Sequence, residues 1–109
     1  MPKKITRWLL TIGDLNDDID KSTYRGYASP FAALAADPAY RFTTEALTLT
    51  NTPTTVGFSS TIDHHLATDE LAERFVTDSA KVLRVDAFIA SYGTTTSDHY
   101  PVLTRYDLR

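Results

Sequence analysis

The sequence has no cysteine in 109 residues, which excludes disulfides, thiol nucleophiles and the cysteine-containing zinc and iron–sulfur centres. The same absence leaves the redox compartment unread. No apolar stretch approaches the roughly 20 residues of a membrane span. The run from Trp8 to Ile12 ends at Gly13-Asp14 and is too short for a signal h-region, so a soluble chain is expected, with its compartment open. Positive charge is scarce: 11 bases stand against 14 acids, for a net charge of −3, and the one basic cluster is Lys3, Lys4 and Arg7. A dedicated nucleic-acid binder usually carries a basic stripe, because neutralised phosphates supply its affinity. Internal repeats and low-complexity tracts are also missing. What is present is ordinary globular usage, 42% hydrophobic and 23% charged, at a length that suits one domain with one core.

Local patterns predict strands with two short helices, hence an α+β or α/β chain. Ile5 to Ile12 is apolar and β-prone and predicts a buried strand that stops at Gly13-Asp14. The loop from Asp14 to Ala28 is rich in acids, which suits either a cation site or plain solvation. Its run Asp17, Asp18, Asp20 lacks the glycine and terminal glutamate of a calcium loop. Ser29-Pro30 predicts an N-cap and first helical residue for a short helix over FAALAAD. Arg41 to Thr50 mixes helix formers with β-branched residues and reads as either. Thr54 to Phe58 and Thr61 to Ala67 predict strands around a break at Gly57 to Ser60, and Thr68 predicts the cap of a helix running to about Val76. Ala80 to Ala90 predicts a long strand, and Tyr92 to Ser97 a loop. Pro101 to Leu108 predicts a last strand with Val102, Thr104 and Tyr106 on one face.

Three segments gather the titratable residues at predicted strand ends: Gly13-Asp14-Leu15-Asn16, Ile62-Asp63-His64 and Ser97-Asp98-His99. Neighbours on a strand face opposite ways, so a carboxylate orienting His99 is expected from another element, with Asp63 as the best candidate, which leaves Asp98 for a metal or a water. A histidine held by a carboxylate on one ring nitrogen can take a proton from water with the other. Asp14 and Asn16 are placed to share one side of a cavity, a carboxylate for the water or leaving group and a neutral amide for a phosphoryl oxygen. Plainer readings stand beside these. Gly-Asp after a strand is a common turn, Asp-His before proline is commonly an Asx-type turn, and His64 with His65 would need to turn to one side to chelate a metal.

In this order the three segments resemble the C-terminal half of the endonuclease/exonuclease/phosphatase superfamily, the deoxyribonuclease I-like fold, over about Leu10 to Leu108. The resemblance implies an α/β sandwich of two sheets. It implies His99 as general base, Asp63 as its orienting partner, Asp98 as a neighbour of the divalent metal, and Asp14 with Asn16 positioning nucleophile or leaving group and binding the scissile phosphate. It also implies magnesium or manganese, which suits oxygen donors and lets an acidic chain receive phosphate, and a phosphomonoester or phosphodiester substrate, nucleic acid included. Leu15 stands where the family has an aromatic. His65 stands where an apolar residue commonly packs and needs a polar partner if buried.

The family's preceding half, with its metal-binding glutamate and many strands of both sheets, has no counterpart in these residues. The chain is therefore expected to be a single partial domain over residues 1 to 109, inactive or weakly active by itself, with apolar sheet faces covered by a second copy or a separate N-terminal half. A non-catalytic oligomerising or binding module built from the half-domain is the alternative. A small metal-binding protein using His64, His65 and the acidic loop is a third.

Overall fold

The computed structural model describes residues 6 to 109, so the Ile5 end of the first predicted strand and the Lys3-Lys4 pair lie outside the described residues. The chain is α+β, with a three-stranded sheet, a two-stranded sheet and short helices. β1 (Leu10–Asp14) and β2 (Tyr40–Phe42) both pair antiparallel with β3 (Asp63–Thr68), which lies between them. β4 (Lys81–Val82) and β5 (Val102–Leu103) form the second sheet. Four helices, α1 (Ala32–Ala36), α2 (Glu45–Leu49), α3 (Asp69–Ala72) and α4 (Tyr92–Thr95), and a 3-10 turn at Val85–Ala87 complete the described elements, where the sequence predicts two helices.

The central strand follows its pattern closely. The register runs from Leu10 opposite Ala67 to Asp14 opposite Asp63, and this brings the Gly-Asp and Ile-Asp-His segments to one end of the ladder. The predicted buried first strand is corrected on two counts. β1 starts at Leu10 and continues through Asp14, and every residue in it is exposed, with Leu10 41% and Ile12 62% accessible. The cause is topological: among the described residues β1 has only β3 beside it, and nothing is layered over its apolar side chains.

Other departures have local causes. Thr54 to Phe58 makes a single bridge, Thr55 to His99, and then turns at Gly57, whose φ of +87° is easy for glycine. The long strand over Ala80 to Ala90 shrinks to β4, and the chain then curls into the 3-10 turn, where Arg84 and Asp86 form a bidentate pair at 2.8 to 2.9 Å. The loop predicted at Tyr92 to Ser97 winds into α4, and the helix after Thr68 stops at Ala72 instead of reaching Val76. Thr68 has the extended backbone of an N-cap, but its hydroxyl accepts from Leu9 N at 3.2 Å and donates to Arg7 O at 2.6 Å, so it ties the start of the chain to β3 instead of capping α3. Ser29 and Pro30 lie in the turn ahead of α1 and do not cap it: the N-cap is Phe31, without a side-chain capping bond, and Ser29 Oγ accepts from Phe31 N at 3.1 Å within that turn. In the last segment Val102, Thr104 and Tyr106 are the half-buried set, although ladder pairing covers only Val102 and Leu103, with one further bridge from Tyr106 to Phe75.

The interior is unusual in what it buries. Ala67, Leu71 and Ala72, with Tyr106 against them, form a small apolar cluster. The largest fully buried side chains are His64, Thr44, Thr48, Thr54 and Thr61, all polar. The radius of gyration is 15.3 Å, against about 13 Å for a typical globular domain of 100 residues. Apolar surface that a thicker domain would bury is therefore left at the surface. No helix among the described residues is long and apolar enough to cross a membrane.

Candidate active site

The end of the β1–β3 ladder and the residues before β5 converge. Asp14 closes β1, Asp63 opens β3, and His99 sits on the bridge to Thr55. His99 Nδ1 donates to Asp63 Oδ2 at 2.9 Å and to Oδ1 at 3.0 Å. The other ring nitrogen, Nε2, lies 3.6 Å from Asp14 Oδ2 and 3.8 Å from Asp98 Oδ1, near both and bonded to neither. The side chains grade outward: Asp63 is 14% exposed, His99 31%, Asp14 46% and Asp98 80%.

Local bonds hold these groups in place. His99 N donates to Ser97 Oγ at 3.0 Å, while Val56 N to Asp98 O and Tyr100 N to Thr54 O, each 2.8 Å, clamp the segment to residues 54 to 56. On the β3 side Thr54 Oγ1 accepts from Ile62 N at 3.0 Å and Asp63 N at 3.2 Å, which fixes the backbone that carries Asp63. Asp14 does two things at once. Its Oδ1 accepts from Asn16 N at 2.7 Å, an Asx turn that supports the left-handed φ of 56° at Asn16, while Oδ2 faces His99. The turn reading and the site reading of Asp14 are therefore compatible.

Electrostatically, the hydrogen bond that His99 donates to Asp63 raises the His99 pKa above its usual value, partial burial opposes it, and the charges of Asp63, Asp14 and Asp98 add to the rise. Ligand atoms of Asp14, Asp63 and His99 lie within 4.8 Å of one another. Both oxygens of Asp63 are already taken by the imidazole, so His99 and Asp63 form a hydrogen-bonded pair with Asp14 beside it. Asp14 and Asp98 are the more exposed carboxylates. Asn16 is exposed and lies two residues along the chain from Asp14, in the wall of a small pocket with Thr23, Phe58, Ser60 and Ile62.

The paired histidines go elsewhere. His64 is 1% exposed, its Nε2 donates to Thr61 O at 2.9 Å, and its Nδ1 accepts from Thr44 Oγ1 at 3.0 Å. Burial lowers its pKa, so the 3.5 Å approach of Nε2 to Asp18 Oδ1 is a contact of a neutral ring and not an ion pair. His65 turns to the opposite side, where Nδ1 donates to Thr104 Oγ1 at 2.7 Å, so this buried histidine has its polar partner.

Sequence reasoning passed over two features. Thr54, the residue that anchors Asp63, has no sequence signature beyond a threonine-rich stretch. Thr55 directly opposes His99 and is 5% exposed, yet its hydroxyl has no hydrogen-bond partner among the described residues. A scan against protein-family models, a search of curated proteins and a search of solved structures each find no match to the chain.

Proposed function

We propose that the chain is the C-terminal part of a metal-dependent phosphoesterase of the endonuclease/exonuclease/phosphatase type, hydrolysing phosphate monoesters or diesters with water activated by His99. The observation that carries this reading is the His99 Nδ1–Asp63 hydrogen bond at 2.9 Å, with Nε2 turned toward Asp14. With its proton on Nδ1, the neutral imidazole has its lone pair on Nε2, the nitrogen that faces the exposed carboxylates. Nε2 takes a proton from water, and Asp63 stabilises the imidazolium that results. Asp14 Oδ2 sits beside the same nitrogen and orients the water or the leaving group. Asn16 supplies a neutral amide, able to donate to a phosphoryl oxygen without adding negative charge.

Three carboxylates in a chain of net charge −3 oppose an incoming phosphate, so the site needs positive charge. The donors fit a hard cation: Asp14 and Asp98 offer oxygen and the chain has no thiolate. Asp98 and Asp14 would hold magnesium or manganese, which when bound neutralises charge developing on the phosphoryl oxygens. The family's metal-binding glutamate belongs to a preceding half, so turnover by this chain alone is expected to be weak. The substrate class, nucleic acid among the candidates, follows the family. Hydrolysis of bis(p-nitrophenyl) phosphate that appears on adding magnesium and disappears on chelation supports the reading. A rate indifferent to both overturns it.

A second reading, a non-catalytic module that associates with a second copy, is favoured by the exposed apolar strand β1, which has pairing partners on one side only among the described residues. Sedimentation equilibrium separates the two. A stable homodimer with no magnesium-dependent turnover favours association, and a monomer at high concentration removes it.

A further inference from the structure

We propose that the pocket of Asn16, Thr23, Phe58, Ser60 and Ile62 is a subsite for one aromatic ring carried by the phosphate ester, with the ring stacked on Phe58. This rests on the phosphoesterase reading and names the substrate class that the reading leaves open.

The pocket starts where the catalytic trio ends. Asp14 and Asp63 are opposite one another in the β1–β3 ladder, and the next pair outward is joined by Leu15 N donating to Ile62 O at 2.9 Å. Ile62 lines the pocket, and so does Asn16, one residue further along. Asn16 stands two residues from Asp14 and Ile62 is the chain neighbour of Asp63, so the pocket wall is built from residues adjoining both carboxylates. Asn16 is the shared residue: a phosphoryl group held by Asp14 and Asn16 would have its ester substituent beside this pocket, which Asn16 lines.

The shape and chemistry of the pocket select the substituent. Its volume is about 150 Å³. An apolar cavity of about that size takes up benzene, so the space matches one six-membered ring more closely than a fused pair. Phe58 is 74% exposed, at the tip of a loop closed by Thr54 N donating to Ser60 O at 3.3 Å. That same loop carries Thr55, which bridges to His99, so the segment that bears Phe58 is also paired with the segment that bears the base. Ile62 supplies an apolar wall, while the amide of Asn16 and the hydroxyls of Thr23 and Ser60 offer hydrogen bonds to a ring edge. A pyrimidine nucleotide or an aryl phosphate fits this combination, and a short alkyl phosphate leaves Phe58 uncovered.

The test is an amide NMR titration of the full chain with phenyl phosphate and with methyl phosphate, each with magnesium present. Phenyl phosphate is expected to shift Asn16, Thr23, Phe58 and Ser60 and to bind at least about fivefold more tightly than methyl phosphate, a modest stacking contribution. Phe58→Ala removes that preference, while Phe58→Tyr keeps it. Equal affinity for the two esters, a preference retained in Phe58→Ala, or no shift at those amides overturns the subsite. The underlying reading fails separately, if aryl and alkyl diesters alike show no magnesium-dependent turnover.

Discussion

His99 Nδ1 donates to both carboxylate oxygens of Asp63, at 2.9 and 3.0 Å, across 36 residues of sequence. The pair joins the first residue of β3 to the segment before β5, so it links the larger sheet to the strand that enters the smaller one. It fixes the tautomer of a half-buried ring and favours its protonated form.

Histidine NMR titration of the metal-free chain is expected to find His99 above the ordinary value of about 6.5, because the Asp63 hydrogen bond raises it. Asp63→Asn lowers it. An unchanged His99 titration in Asp63→Asn would show that the pair does not form in solution.

Thr54 and Thr55 are neighbours with opposite expected responses to the near-isosteric change to valine. Thr54 Oγ1 accepts from two backbone amides, so Thr54→Val strands them and costs about 1–3 kcal/mol in thermal or denaturant unfolding. Thr55 Oγ1 is buried without a partner, so Thr55→Val is neutral or stabilising by up to about 1 kcal/mol. Equal destabilisation by both changes would contradict the bonding described for residues 54 and 55.

Stability should fall on the acid side because of His64. Burial lowers its folded-state pKa below the unfolded value of about 6.5, so the unfolded chain binds the proton more readily. The contribution of a neutral His64 is complete above about pH 6.5 and is lost as pH falls toward the depressed folded value. His65 shifts the same way, by burial and then by its neighbour's charge, whereas His99 shifts oppositely and loses its contribution as pH rises through its raised folded value. Urea midpoints at pH 7 and pH 5, compared with those of His64→Gln, isolate the effect. An acid sensitivity unchanged in His64→Gln would assign it elsewhere.

Asp14 separates turn from site. Asp14→Asn keeps an oxygen to accept from Asn16 N, so stability should stay within about 0.5 kcal/mol while the carboxylate charge beside His99 Nε2 disappears and turnover drops. Asp14→Ala should lose turnover and also about 1 kcal/mol of stability with the turn bond. Full activity in Asp14→Asn would reduce Asp14 to turn chemistry.

The readable parts of the chain are those where local pattern and tertiary context agree. The span from Asp63 to Thr68 is close to its predicted extent because the central strand has neighbours on both edges and buries His64, His65, Ala67 and Thr68. The alternation of Val102, Thr104 and Tyr106 likewise appears in their burial. The first strand misleads because Trp8 to Ile12 is apolar without a layer to cover it, and periodicity registers hydrophobicity, not the presence of a partner. The span from Ala80 to Ala90 misleads for a similar reason: Leu83 and Phe88 stay exposed, at 38% and 77%, with no sheet to receive them. In the site, the meeting of Asp14, Asp63 and His99 depends on the β1–β3 register and on the Thr55–His99 bridge, and no spacing along the chain encodes either. The threonine-lined interior around His64 is invisible to any pattern that looks for apolar cores.

The most direct test is the magnesium-dependent rate of phosphodiester hydrolysis at high protein concentration, measured for the unmodified chain and for His99→Ala. A weak but magnesium-dependent rate that falls at least about a hundredfold in His99→Ala, the scale of a lost general base, is the expected result. A rate that survives in His99→Ala, or no magnesium-dependent hydrolysis in the unmodified chain, would contradict the assignment of His99 as the base of a phosphoesterase.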